Sequence, residues 1–396
     1  MISFITNQPT NRQNRPDYPS SQWIPPINRQ TASKHVTWFS RFIGIIVTWL
    51  TISLSSQAID PQLQSLSGSY LGLFSSIHQP TAVTAQFDFA TNLDFNVQLA
   101  ESISGVIQIQ GGNGGGSLGL IGPNAAVTDL YIQYTNSAHQ LNLIFGSFDL
   151  PFGQQTAYLT NNADSHNQLF LLNPILYSAL AGPVGTLNTL GINAKKSFLF
   201  ADITAVVSNG TGETAINEGN DFLGLIRLDK TITSGLNTSI TAFNSNDLDD
   251  TAIASNTSTG SDLTGWMIDA RYMLHPVHIA SYVGQLTYDD RQSTTSDTVG
   301  FWMIEWGYDT DTWFSGVRLS AWLPSDHNRS GHGIASQIPK PGLASSAVAD
   351  TEIIRLQLGV GYQLEESLTL KVEWVNDSYE SSTDVNALIV ALNGVF

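Results

Sequence analysis

The chain has 396 residues, of which only 12% are charged, with a formal net charge of −17, 33 glycines and no cysteine. That acidic balance excludes a nucleic-acid footprint, which has to be basic. The lack of cysteine excludes disulfides, thiolate metal sites, cysteine nucleophiles and lipoprotein acylation.

Residues 1–33 are rich in Pro, Asn and Gln and carry no fold signal. Lys34 and Arg41 then precede a 13-residue apolar run, Phe42–Leu54, which is followed by SSQA. A run this short is the hydrophobic core of a signal peptide rather than a helical span, which needs about 20 residues. Small residues Ser56 and Ala58 predict cleavage after Ala58, so residues 1–58 are read as a leader and 59–396 as one domain. Removing the leader leaves 11 Lys+Arg against 32 Asp+Glu, a net charge of −21.

The first long patterned segment is Val83–Leu99, VTAQFDFATNLDFNVQL. Phe87, Phe89, Leu93, Phe95 and Val97 fall on one face, while Gln86, Asp88, Asn92, Asp94, Asn96 and Gln98 fall on the other. Period two held this long exceeds the ~9–11 residues of a barrel-wall crossing and predicts a strand that projects beyond the membrane. Similar segments at 66–77, 82–98, 103–110, 125–135, 140–149, 186–194, 197–208 and 220–230 give the first eight predicted strands. The other eight are 236–246, 263–274, 277–288, 298–309, 311–323, 350–363, 367–377 and 384–396.

Every second connection is tight: ESIS, NSAHQ, KKS, TITSG, HP, DT and EES. The others are long and polar or Gly-rich, and 150–185 is the longest. An even strand count with alternating short and long connections is the pattern of an up-and-down transmembrane β-barrel, with short periplasmic turns and long external loops. A barrel also explains the scarcity of charge, because a soluble surface carries about 25–35% charged residues. Trp266, Tyr272, Trp302, Trp306, Tyr308, Trp313 and Trp374 cluster on the outward face near strand ends, as interfacial girdles do. The last segment, NALIVALNGVF, places Leu388, Val390, Leu392 and Phe396 on one face. A terminal aromatic on an alternating strand resembles the signal presented to the barrel-assembly machinery.

Residues 146–153, GSFDLPFG, end a predicted strand on a Pro and a Gly. The apolar LFLLNPILYSALAG follows, and then GPVGTLNTLGINA resumes a strand. Over Gly146–Ala194 this arrangement resembles bacterial outer-membrane porins, in particular PFG-motif porins related to phosphate-selective and siderophore-type porins. The resemblance implies an all-β, sixteen-stranded, often trimeric channel whose third external loop folds inward and narrows the lumen. Pro151 falls where the ladder ends and its missing N–H costs little. Phe152 lies between it and Gly153, which permits the bend.

Facing follows from placing aliphatic residues outward and reading what remains. This predicts Asp88, Asp94, Asp129 and Asp202 in the lumen, and Arg318, Arg355 and Lys371 on the later strands, with Glu305 and Glu373 nearby. Arg227, Asp269 and Arg271 lie between the two groups. Acids thus gather on one wall and bases on the other, which predicts a transverse field with Asp149 and Asp164 of the inward loop facing Arg318, Arg355 and Lys371. The competing arrangement is local ion pairing along one wall, such as Glu373 with Lys371. No basic cluster marks a phosphate path.

Catalytic and cofactor chemistry is not predicted. The histidines are scattered: His275 and His278 flank a turn, His78, His139 and His166 sit in connections, and Asp326, His327 and His332 read as polar loop residues rather than metal ligands. DLDD at 247–250 lacks the Gly and closing Glu of a calcium loop. Too few residues precede the first strand for the plug of an energised receptor. The expectation is an outer-membrane channel for passive diffusion of small hydrophilic solutes or ions. Its expected surroundings are lipid, lipopolysaccharide and two further copies in a homotrimer. The alternatives are a TonB-independent channel for siderophores or metal complexes, and a structural or adhesive barrel.

Overall fold

The computed structural model describes residues 62–79, 82–112, 126–153, 170–180, 188–209, 222–248, 261–290, 295–310, 312–325, 342–343, 351–380 and 383–396. The leader, its cleavage point and Asp164 lie outside the described residues.

Sixteen antiparallel strands close on themselves in sequence order, with the last pairing to the first. They are β1 Gln62–Gln79, β2 Ala82–Ala100, β3 Ile103–Gly112, β4 Ala126–Asn136, β5 Leu141–Asp149 and β6 Asn188–Ser197. Then come β7 Asp202–Asn209, β8 Phe222–Thr233, β9 Leu236–Leu248, β10 Ser261–Leu274 and β11 Val277–Asp290. The circuit finishes with β12 Thr295–Asp309, β13 Trp313–Pro324, β14 Ile353–Glu365, β15 Leu368–Tyr379 and β16 Val385–Val395. Among the described residues one helix, α1 Ile175–Leu180, lies in the β5–β6 connection and rests against β13. Closure satisfies every wall strand on both edges, which is the requirement for a sheet placed in lipid.

The period-two pattern explains the wall. On β2, Phe87 and Phe89 point outward and are 79% and 56% exposed, while Asp88, Ala90 and Asn92 are buried on the opposite face. Trp266, Trp306, Tyr308 and Trp313 are likewise exposed on the outside, forming part of an aromatic girdle. At the seam, Gly68 and Phe396 exchange backbone hydrogen bonds of 3.0 and 2.8 Å. The Phe396 ring covers Gly68 so closely that a Cβ there would sit 2.3 Å from it.

Three details depart from the sequence reading. β1 begins at Gln62 rather than 66. At the long-loop end, β1–β2 and β15–β16 are joined by only residues 80–81 and 380–384. The third concerns the β6–β7 turn, which is not Lys195–Ser197. The ladder continues through those residues, with Lys195 opposite Thr204 and Ser197 opposite Asp202, and the chain reverses at Phe198–Ala201. Apolar FLF reads as strand in sequence. Here Phe198 and Phe200 stack 5.7 Å apart at the turn, and Leu199 is fully exposed.

The largest difference lies inside. Aliphatic side chains were expected outside only, yet Leu71, Leu73, Leu223, Leu225, Val375 and Ile389 are buried on the inner face. They join a continuous apolar core with Phe152, Leu171, Leu172, Ile175, Leu176 and Tyr177 of the β5–β6 connection. An inner wall can be apolar where something other than water covers it.

Candidate functional site: a loop segment held inside the barrel

The β5–β6 connection is the third at the long-loop end, and its two described stretches, 150–153 and 170–180, are fixed to strands far from β5. The first fixation is the PFG segment. Phe152 is fully buried, edge-on to Phe243 of β9 at 4.9 Å and to Phe301 of β12 at 6.5 Å. Burying such a ring stabilises by roughly 1.5–3 kcal/mol. Gly153 has φ +61°, a conformation that favours glycine, and a Cβ there would meet the Met267 methyl at 1.8 Å. The Gly153 carbonyl accepts from Arg227 of β8, whose guanidinium is also bonded to Asp229 at 2.7 Å. The Tyr177 hydroxyl donates to the Phe152 carbonyl at 3.3 Å, joining the two stretches.

The second fixation is a short peptide on β13–β15. Glu373 accepts the amides of Leu171 and Leu172 at 2.5 and 3.0 Å. The Leu172 carbonyl accepts from Arg318 at 2.9 Å and from Gln357 at 2.8 Å, and the Asn173 carbonyl accepts from Arg355 at 3.0 Å. Each arginine is held from behind. Arg318 bonds Glu305 at 2.7 Å, and Arg355 bonds both oxygens of Asp377 at 2.7 and 2.8 Å. The Phe170 ring lies under the Arg318 guanidinium at 4.1 Å. All of these side chains are buried, with Arg355 only 1% exposed. Buried charges persist only when paired and hydrogen-bonded. Both conditions are met here.

Lys371 is buried in the same wall, 5.4 Å over the Phe314 ring. His278 reaches Glu305 at 3.1 Å. Asp377 also accepts the amide of Leu343 at 2.8 Å, so Leu343 of the β13–β14 connection touches this wall as well.

The acids expected in the lumen stand on other strands, β2, β4 and β7. Asp94 faces Gln108 across the β2–β3 ladder and accepts its amide at 2.7 Å. Gln108 in turn is opposite Asp129 on β4. Asp94, Asp129 and Asp149 all lie within electrostatic reach of Tyr131. Asp149 is therefore grouped with the acids of β2 and β4, while Arg318, Arg355 and Lys371 stand on β13–β15. Asp88 is buried on the inner face of β2 beside Gln86. Asp202, near the short-turn rim, bonds Lys195 at 3.1 Å. Along β3 and the lower part of β2 both faces are half-buried, whereas β14 and β15 alternate sharply between buried and open. The apolar fill therefore leans on one side of the barrel. Glu373, Gln357 and Asp377 are the residues that facing by parity gave little weight. Their signal was an acid or amide on a strand whose neighbours carry the buried arginines.

A scan against protein-family models finds no match, and a search of curated proteins finds none either. Solved structures do match. A loop-deletion form of OmpT, an outer-membrane protein of Vibrio cholerae, superposes with a TM-score of 0.59 at 10% identity, covering 85% of this chain and 99% of that one. OmpT is also known in a trimer form. An anion-selective porin from Comamonas acidovorans gives 0.57 at 9% identity, covering 85% and 100%. OmpF from Salmonella typhi, in complex with daunomycin, gives 0.57 at 11%, covering 84% and 97%. The chain has the fold of an outer-membrane porin. A closed sixteen-stranded barrel with an apolar outside belongs in the outer membrane.

Proposed function

We propose that this barrel is an outer-membrane channel for the passive diffusion of small hydrophilic solutes or ions, narrowed by the loop at 150–185. The observation that carries the reading is the bonding of that loop from β5 to β8 at Gly153 and to β13–β15 at Leu171–Asn173. A loop so fixed takes space from the lumen. The remaining path runs beside β2–β5, where Asp94, Asp129 and Asp149 give it a preference for cations, with Asp88 and Asp202 above and below and Asp164 on the loop. Lys371 is assigned to the opposite wall. The mature protein begins after Ala58, is inserted through its terminal Phe396 signal by the barrel-assembly machinery, and sits among phospholipid and lipopolysaccharide as a homotrimer. No catalytic step is proposed.

Planar-bilayer recording of purified protein tests this directly. Expected are discrete conductance steps and a reversal potential of cation-preferring sign in a KCl gradient, together with liposome swelling by small sugars. A folded barrel that carries no current and admits no sugar would overturn the reading.

A further inference from the structure

Arg318 and Arg355 on β13 and β14 invite assignment to the solute path, and their surroundings argue otherwise. Arg318 and Arg355 each spend one face on a carboxylate, Glu305 and Asp377, and the other on a backbone carbonyl of the loop. Glu373 completes the arrangement from the opposite polarity, taking two consecutive amides while Gln357 bridges its second oxygen at 2.8 Å. Acceptors meet donors and donors meet acceptors along a single stretch of peptide, 171–173. A solute-facing wall would leave its charges directed at water. This wall directs them at the chain itself.

We propose that Glu373, with Arg318, Gln357 and Arg355, forms a peptide clamp inside the barrel, and that Glu373 is the positioning residue that sets the width of the constriction. The clamp contributes no transverse field, because each charge is neutralised within its own wall by a partner or by the loop. Its effect on permeation is geometric: it fixes where the apolar segment 170–177 stands, and so how much of the lumen is left on the β2–β5 side. This rests on the channel reading for its consequence, but not for its existence.

Two measurements on the full-length protein separate the two. Amide hydrogen exchange in the folded barrel reads the clamp. Glu373→Ala removes the one carboxylate oxygen that accepts both the Leu171 and Leu172 amides and should speed exchange of peptides covering 170–177 at least about tenfold, as expected for losing charge-assisted hydrogen bonds. Glu373→Gln keeps one acceptor oxygen and should fall between. It also serves if the Ala variant does not fold, as judged by heat-modifiable gel mobility. Bilayer recording reads the consequence. Glu373→Ala and Arg318→Gln should raise or destabilise the unitary conductance and admit larger sugars, with the reversal potential unmoved.

Unchanged exchange at 170–177 in both Glu373 variants overturns the clamp. A shifted reversal potential at unchanged unitary conductance overturns it too, because the residues would then be facing the solute. Accelerated exchange in a barrel that conducts nothing upholds the clamp and removes the channel instead.

Discussion

Arg355 and Asp377 form a two-bonded ion pair, 2.7 and 2.8 Å, in a position where neither side chain sees solvent. Such a pair is poor evidence of stability in itself, since two dehydrated charges cost nearly as much as their attraction returns. Breaking it is another matter. Asp377→Asn should destabilise the barrel by about 3–5 kcal/mol, and Arg355→Met with Asp377→Leu by clearly less than the two single changes together. Urea unfolding in detergent, followed by tryptophan fluorescence, measures the difference.

Phe152 is the apolar pin of the loop, and its pocket between Phe243 and Phe301 is furnished by distant strands. Phe152→Ala should cost about 3–5 kcal/mol of loop docking, the usual range for emptying a buried aromatic site. The barrel wall does not depend on that contact. The expected result is therefore a folded barrel with noisier, larger conductance steps and a protease-sensitive 150–180 segment. Mass mapping after limited proteolysis checks it.

Gly153 is constrained twice, by its left-handed backbone and by the Met267 methyl. Gly153→Ala should loosen the same loop. Adding Met267→Ala relieves the contact but not the backbone, so rescue should be incomplete, with a residual cost on the order of 1 kcal/mol. Full rescue in the proteolysis assay would show that space alone matters.

The acids around Tyr131 supply a selectivity test. Asp94→Asn, Asp129→Asn and Asp149→Asn together remove three negative charges from the β2–β5 side. The reversal potential in a KCl gradient should move toward the anion side, with little change in unitary conductance. This outcome is the reverse of that expected for Glu373→Ala, so the two walls can be told apart by one instrument.

The ring itself was legible in the sequence because a barrel strand has one lipid face, and period two makes that face visible. β2 and β12 read cleanly for that reason. β16 read correctly as well, although VNALIVALNGV is apolar on both faces: Leu388, Leu392 and Phe396 are exposed on the outside while Val385, Ala387, Ile389 and Ala391 meet the core. Facing by hydrophobicity loses contrast wherever the lumen is filled by the chain's own loop. The β6–β7 turn failed for a related reason, because turn residues are expected to be polar and Phe198–Phe200 are not. The apolar loop was visible as an anomaly in LFLLNPILYSALAG. Its docking partners were not, since hydrogen bonds from side chains to backbone leave no trace in the pattern of the strand that supplies them. Arg318 and Arg355 were found as inward bases. What they hold became apparent only once Leu172 and Asn173 stood beside them.

The apolar fill against β7–β16 and β1 has a consequence for size. Sixteen strands fix the girth of the ring; on the proposed channel reading, the bore is whatever the docked loop leaves. Asp94, Asp129 and Asp149 stand on one stretch of the inner wall, while Phe152 and Leu171–Tyr177 of the loop pack into hydrocarbon from other strands. Strand number would overstate what can pass. Shortening or lengthening the loop would retune the exclusion limit while leaving the wall untouched.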